Sequence, residues 1–296
     1  GRTRGGVFGN WVFHRIIQVF GMIPAYSLLV FVAGYFLIFA PKALRASLQY
    51  QKRIGYNGPG FFSRMWGAYR HFFSYGITLL DRSAILMGFA DKFTIELNGE
   101  EQVFRALEQG KGLVLTGAHC GNWEIAAHSL AAMDVPVHIL MFEGEREKVQ
   151  RFFDSVLRER NVRIIGVDGS DSGILECMQA LSKGEVVAVL GDRTLNPGPK
   201  NTVLVPFLGK PARFPVGPHL LAALTGAPII HVFAMRTSLY SYRYFVFPTE
   251  HLKLTKRSKR FEELGEWTAL LVSRIESLLH EYPLQWYNFF EVWDEE

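Results

Sequence analysis

Cysteine is scarce in this chain of 296 residues: there are two, Cys120 and Cys177, and neither sits in a CxxC pair or any other zinc-type spacing. That excludes a disulfide framework and a thiolate-held structural metal, and it makes a reducing compartment the simplest setting. Internal repeats and low-complexity tracts are absent too, so a solenoid or a linker array is excluded. The net charge is only +4, from 32 Lys and Arg against 28 Asp and Glu. The basic residues are dispersed and no recognised binding motif appears, so nucleic acid finds little support as a partner. Charged residues make up 20% of the chain, against 49% hydrophobic and 14% aromatic. Such a balance leaves apolar surface for something other than water, and a membrane or lipid is the first candidate.

What the chain does have is one long uncharged run. Between Arg15 and Lys42 stands "IIQVFGMIPAYSLLVFVAGYFLIFAP", long enough as a helix to cross a hydrocarbon core of ~30 Å. Gly21, Pro24 and Gly34 leave open two shorter pieces that dip and return, or a buried helical hairpin. Arg2, Arg4 and Arg15 precede the run and Lys42, Arg45, Lys52 and Arg53 follow it, so charge gives it no orientation. Next, "FFSRMWGAYRHFFSYGITLLDRSAIL" mixes aromatics with single basic residues. That suits helices at a headgroup boundary, or equally an aromatic packing face. Residues 1–90 are therefore expected to form an N-terminal membrane-anchoring or interfacial helical region, and residues 91–296 a catalytic domain.

From about residue 92 the character changes. The runs "GLVLTG", "PVHILMF", "VRIIGV", "EVVAVL", "APIIHVFAM" and "YRYFVFP" alternate with helix-like stretches such as "EREKVQRFFDSVLRER" and "SGILECMQALSKG". The alternation predicts an α/β fold, a mainly parallel mixed sheet flanked by helices. Reactive groups then belong in the loops at the carboxyl ends of strands. One such place is "GAHCGNWE", residues 117–124, between an apolar run and an alanine-rich one. On a continuous helix His119 and Glu124 would point about 140° apart. A shared site needs His119 in the loop and Glu124 in the first helical turn, with Gly121 and Asn122 supplying the turn and the cap. A carboxylate so placed accepts from one imidazole nitrogen and leaves the other free to take a hydroxyl proton. No serine or cysteine sits in a nucleophile-elbow pattern, and Cys120, next to His119, is expected to point elsewhere.

The order of these residues, with "GDRT" and "VPFLGKPARFPVGPHLLAALTGAPIIHVF" beyond them, resembles the bacterial lipid A biosynthesis family of lauroyl and myristoyl acyltransferases. That family lies within the lysophospholipid-acyltransferase-like superfamily, whose signature is a histidine, four residues and an acid. The resemblance spans nearly the whole chain. It implies His119 as general base and Glu124 as its orienting partner. It places Gly121, Asn122, Trp123, Asp192, Arg193 and Arg213 along the substrate cleft, with Arg193 suited to a phosphate by its planar fork. The stretch "VPFLGKPARFPVG" is expected as a loop past the site, Arg213 beginning a helix. Phe207, Leu208 and Phe214 are acyl-groove candidates, or simply core, and His128 reads as structural. Two departures stand out: Glu124 where many members carry Asp, and the ending "YPLQWYNFFEVW", unlike the tail of the lipid A enzymes.

The activity so implied is transfer of a fatty acyl chain from a thioester, acyl carrier protein first and coenzyme A second, to a hydroxyl of a lipid A-type or other envelope glycolipid. The setting is the cytoplasmic face of the bacterial inner membrane. Phospholipids, amino-acid lipids and polyene pigments are other acceptors within the same chemistry. No metal or organic cofactor is called for. Loop amides around Gly121 are expected to hold the oxyanion, and Lys148, Arg151, Arg158 and Arg160 to receive the acidic carrier protein. A lipid esterase, in which the same base activates water, and a membrane-binding module without chemistry are the competing classes.

Overall fold

A computed structural model describes residues 7–123, 125, 135–142, 162–167, 172–193, 198 and 200–293. Four helices open it: α1 (Val7–Phe20), α2 (Met22–Phe39), α3 (Pro41–Ile54) and α4 (Phe61–Ala84). The long apolar run is broken after α1 by Gly21, whose φ of 84° places it in the left-handed region that glycine enters at little cost. Pro24 falls in the first turn of α2, where its missing N–H breaks no helical hydrogen bond. On α2 the buried stripe is Met22, Ala25, Tyr26, Leu29 and Ala33, the i, i+3, i+4 spacing of one helix face. It packs on α4, where Gly76 gives Leu29 room: a Cβ there would lie 2.4 Å from a Leu29 methyl. The opposite face of α2 carries Phe31 and Ile38 at 75% and 71% exposure. Among the described residues one helix, Met22–Phe39, is long and apolar enough by composition to cross a membrane.

The helices do not form a separate body. Their core is shared with the sheet, joining Ile17, Leu29, Ile77 and Leu80 to Phe93, Ala234 and Tyr242. Asp81 of α4 is fully buried and accepts from the hydroxyls of Tyr26 and Tyr242, with the Arg236 guanidinium 3.4 Å away. Buried charge is tolerated here because it is both paired and hydrogen-bonded.

After a short π turn and a 3₁₀ turn come β1 (Thr94–Glu96), α5 (Glu100–Leu107), β2 (Leu113–Gly117), β3 (Val137–Phe142) and β4 (Val162–Val167). Then follow α6 (Ser172–Ser182), β5 (Val186–Leu190), β6 (Thr202–Phe207), β7 (Lys210–Pro215) and α7 (Gly217–Thr225). The last elements are β8 (Ile229–Ser238), β9 (Ser241–Val246) and α8 (Arg260–Glu281). Among the described residues seven strands make one sheet in the order β1-β9-β8-β2-β5-β3-β4. Every pairing in it is parallel except β8 with β9. The predicted α/β class is therefore the observed one, and each of the six quoted apolar runs is a strand. All five residues of β2 are buried, as a central parallel strand covered on both faces requires. Leu113 and Leu115 pack with Val103 and Ala106 of α5, while Val114 packs with Cys177 and Leu181 of α6 and Leu221 of α7.

One expectation fails here. "VPFLGKPARFPVG" is not a loop, and Arg213 does not begin a helix: β6 and β7 pair as an antiparallel hairpin with Arg213 opposite Leu204. Its two-residue turn is Leu208 and Gly209, with φ of 48° and 79°, the doubly left-handed geometry that matches strand twist. Pro206 and Pro211 face each other in register at exposed positions. In a two-stranded edge their missing N–H groups leave little of the ladder unmade.

Candidate active site

His119 lies two residues beyond Gly117, the end of β2, and Asp192 two residues beyond Leu190, the end of β5, and Gly117 and Leu190 are register partners. The sheet therefore delivers both residues side by side at its carboxyl edge. The His119 Nδ1–H donates to Asp192 Oδ1 at 2.7 Å, and the His119 backbone N–H donates to Oδ2 at 3.0 Å. Oδ2 also accepts from the Trp286 indole at 3.2 Å and from the Asn288 side-chain amide at 3.1 Å. Burial pushes the Asp192 carboxyl up, but the His119 charge and its two N–H bonds, with Arg193 beside it, outweigh burial and hold it down at about 2. Asp192 is thus a permanent carboxylate with a side chain of zero exposure, while His119 keeps 17% of its side chain open. Nε2 is left as the proton acceptor.

The loop carrying His119 is clamped on two sides. Gly121 N–H donates to Gln285 O at 2.8 Å, Asn122 N–H to Ala234 O at 2.8 Å, and Tyr287 N–H to His119 O at 2.8 Å. Gly121 has φ of 61°, and a Cβ there would lie 2.0 Å from the Ala234 carbonyl oxygen. Only glycine fits such a turn without a shift of backbone. The amides of Gly121 and Asn122 are both spent on backbone carbonyls, so these two are not left as oxyanion donors. Asn122 is buried, and its side-chain amide reaches the Thr78 carbonyl of α4 at 3.4 Å. Trp123 is half-buried and packs against the sheet with Leu107 and Val135.

The role expected of Glu124, to accept from one imidazole nitrogen of His119, is taken on Nδ1 by Asp192. Glu124 itself lies outside the described residues, as do His128, Lys148, Arg151, Arg158 and Arg160. Arg193 is half-buried and engaged by the C-terminal segment: Nη2 donates to Tyr287 O at 2.6 Å, Nε donates to Asn288 Oδ1, and the guanidinium stands 5.4 Å from the Phe290 ring centroid. Arg213 is exposed on β7. Phe207 and Phe214 are core, not groove: both are at most 1% exposed and pack edge to face at 5.3 Å, with Phe207 stacked on Trp293 at 5.4 Å. Leu208 packs against the same cluster. Cys120 is buried, and burial followed by the Asp192 charge pushes its thiol well above the usual range, so it is not a thiolate nucleophile at neutral pH. Among the described residues no three His, Cys, Asp or Glu side chains gather as a metal set.

The site residues that sequence reasoning misses are Gln285, Trp286 and Asn288. Their one trace is the aromatic segment after α8, which stands out only as an unusual tail.

A histidine and an acid at the carboxyl edge of a parallel sheet, with neither a thiolate nor a metal set among the described residues, leave the family comparison to decide the class. The family model described as bacterial lipid A biosynthesis acyltransferase matches residues 87–294, well over half of the chain. The chain belongs to that family. Its match begins after α4, so the four N-terminal helices lie outside the part the family model describes. Among curated proteins, the phosphatidylinositol mannoside acyltransferase of Mycobacterium tuberculosis (strain ATCC 25618 / H37Rv) is 27% identical over 135 residues, 45% of this chain and 42% of the relative. That of Mycolicibacterium smegmatis (strain ATCC 700084 / mc(2)155) is 26% identical over 133 residues, 45% of this chain and 43% of the relative. The match spans less than half the length of these curated relatives.

Proposed function

We propose that this member of the lipid A biosynthesis acyltransferase family transfers a fatty acyl group from a thioester to a hydroxyl of a glycolipid at a membrane surface. The observation that carries the reading is the His119–Asp192 pair, an imidazole with Nδ1 tied to a permanent carboxylate and Nε2 left to act. Nε2 takes the proton of the acceptor hydroxyl as its oxygen attacks the thioester carbonyl. The tetrahedral intermediate collapses with the carbon–sulfur bond breaking, and the imidazolium returns the proton to the departing thiolate. Asp192 remains ionised throughout and stabilises the imidazolium, as the acid of such a pair does elsewhere. The oxyanion is met by donors other than the Gly121 and Asn122 amides.

The relatives' names support a mannosylated inositol phospholipid, or a similar glycolipid, as acceptor. Acyl carrier protein is the preferred donor, with coenzyme A second, as the sequence resemblance implies. The membrane is the inner one, approached from the cytoplasm. Its docking surface is the outer face of the N-terminal helices, where Phe20, Phe31, Ile38, Phe61 and Phe62 are between 68% and 85% exposed. Large aromatic and aliphatic side chains exposed on these helices belong in lipid rather than water.

The test is to incubate the full chain and its His119→Ala form with radiolabelled acyl carrier protein or coenzyme A thioesters and phosphatidylinositol mannosides or a total lipid extract, then separate the lipids. A labelled lipid made by the wild type and absent with His119→Ala is the expected result. Label appearing only as free fatty acid makes the protein an esterase, and equal label with both proteins removes His119 from the chemistry.

A further inference from the structure

The C-terminal segment after α8 returns across the carboxyl edge of the sheet and bonds to Gly121, His119, Asp192 and Arg193. Gln285 O accepts the Gly121 N–H, Tyr287 N–H donates to His119 O, and Trp286 and Asn288 both donate to Asp192 Oδ2. The segment is itself fixed from outside. Gln285 closes a two-bond ring with the backbone of Arg236, accepting from its N–H at 2.9 Å and donating to its carbonyl at 2.8 Å. His71 of α4 donates from Nε2 to Trp286 O at 2.8 Å while its Nδ1 accepts from Ser47 Oγ at 2.9 Å. Tyr50 of α3 packs on the Trp286 ring at 5.1 Å.

We propose that Asn288 is a positioning residue for the His119–Asp192 pair, and that residues 285–288 form a splint fixing the plane of the Asp192 carboxylate so that one oxygen stays aimed at the imidazole. His119 holds Asp192 by two N–H bonds, one to each oxygen, and the Trp286 and Asn288 donors add two more that keep the carboxylate in that plane. Donors on Oδ2 alone leave Oδ1 as the acceptor for Nδ1–H, which sets the histidine tautomer. Asn288 is suited to this by being an amide. Its Oδ1 must face the Arg193 donor and its Nδ2 the Asp192 acceptor, so both ends are satisfied in one orientation only. It is 1% exposed, so its own amide has no water as a substitute partner. The inference rests on the reading of His119 as the base, and it adds a role that belongs to a residue 169 positions away in the chain (288 less 119).

The experiment separates positioning from a plain structural clamp by comparing Asn288→Asp with Asn288→Leu in the full chain. Aspartate keeps the size of the side chain and the acceptor for Arg193 but turns an oxygen, not an N–H, towards Asp192. Leucine removes both bonds. Histidine ¹⁵N shifts, with the His119 signal assigned by its loss in His119→Gln, report the tautomer whether or not the protein turns over. Wild type is expected to show His119 protonated on Nδ1, and both variants a mixed tautomer. In the acyl-transfer assay kcat should fall about 10–100-fold with KM changed less than about threefold. If Asn288→Leu does not fold, Asn288→Asp carries the test. A folded Asn288→Asp protein with wild-type tautomer and kcat overturns the proposal and leaves Asn288 as a holder of Arg193. A tautomer shift in a protein that transfers no acyl group upholds the splint and overturns the acyltransferase reading instead.

Discussion

His119 and Asp192 meet because Gly117 and Leu190 are register partners: the two strands end level, and each chain runs two residues on before its side chain turns in. The pair is a property of the sheet register as much as of either loop. A slip of one residue between β2 and β5 would put the acid on the wrong face.

The first prediction follows from that bond. Asp192→Asn keeps the shape of the side chain, but an amide turns either a poorer acceptor or a donor towards Nδ1. It should lower kcat by about 10²–10⁴-fold with the fold intact, in line with the loss when the acid of a His-acid pair is neutralised. Kinetics beside circular dichroism check it, and a variant that retains about a tenth of wild-type kcat or more would remove Asp192 from the mechanism.

Gly121 gives a sharper structural prediction. Its left-handed φ, and the Ala234 carbonyl oxygen 2.0 Å from where an alanine Cβ would stand, leave Gly121→Ala no unstrained solution. A cost of roughly 2–4 kcal/mol is expected, from the backbone conformation and the displaced neighbour together. Gly217, at the start of α7 with nothing within 4 Å of a Cβ, is the control, and Gly217→Ala should leave Tm within about two degrees. Equal melting of the two variants would mean that the loop relaxes freely.

Much of the architecture is legible in the sequence because parallel strands announce themselves. "GLVLT" is apolar throughout and becomes β2, and the loop after it carries His119, as the strand-to-helix reading requires. Asp192 is recognisable as a cleft residue, but its bond to His119 depends on which strands are neighbours, and alternation of strands and helices does not reveal that β5 lies beside β2. The β6–β7 hairpin is hidden by Pro206 and Pro211 and by a Leu-Gly turn with no Asn-Gly or Asp-Gly signal. Gln285, Trp286 and Asn288 are invisible as site residues because tertiary return of a chain end leaves no local pattern. The long apolar run is visible as one segment, while Gly21 divides it into two helices with α2 laid along α4.

That arrangement of α2 bears on the membrane. Phe31 and Ile38 point away from α4 and touch little, whereas Leu29 and Ala33 face it. Replacing Phe31 and Ile38 together by serine should therefore reduce sedimentation with anionic liposomes at least about tenfold, since two large apolar side chains contribute roughly 1.5–3 kcal/mol each when buried in lipid. Tm in the absence of lipid should hardly move. Undiminished liposome binding by a folded double variant would sink the proposed docking face and point to a different surface.

Acid sensitivity is the last consequence of the packing. His71 is held neutral with its pKa down at about 4, burial dominating over the Trp286 carbonyl that favours its charge. His219 is also lowered to about 4, by burial and then by Arg274, and His231 is pushed well below the usual range by burial, His219 and Arg274. The last two share a buried cluster in which Arg274 donates to His231 Nδ1 at 2.8 Å and pairs with Glu250 at 2.8 Å. The sign is fixed by which state holds more protons. Above the ordinary imidazole range neither state is charged at these sites and the packing is intact. As pH falls from there towards about 4, the unfolded chain takes up protons that the native one refuses, so stability is lost across that window. Each such imidazole contributes a slope of roughly 1.4 kcal/mol per pH unit. Denaturant midpoints measured from neutral pH down to the low end of that window should fall steeply, and His71→Gln should flatten the curve by about one proton. Midpoints that hold constant through the window would mean that water reaches these rings and that the interior around α4 and α7 is looser than the packing of Trp286 and Arg274 requires.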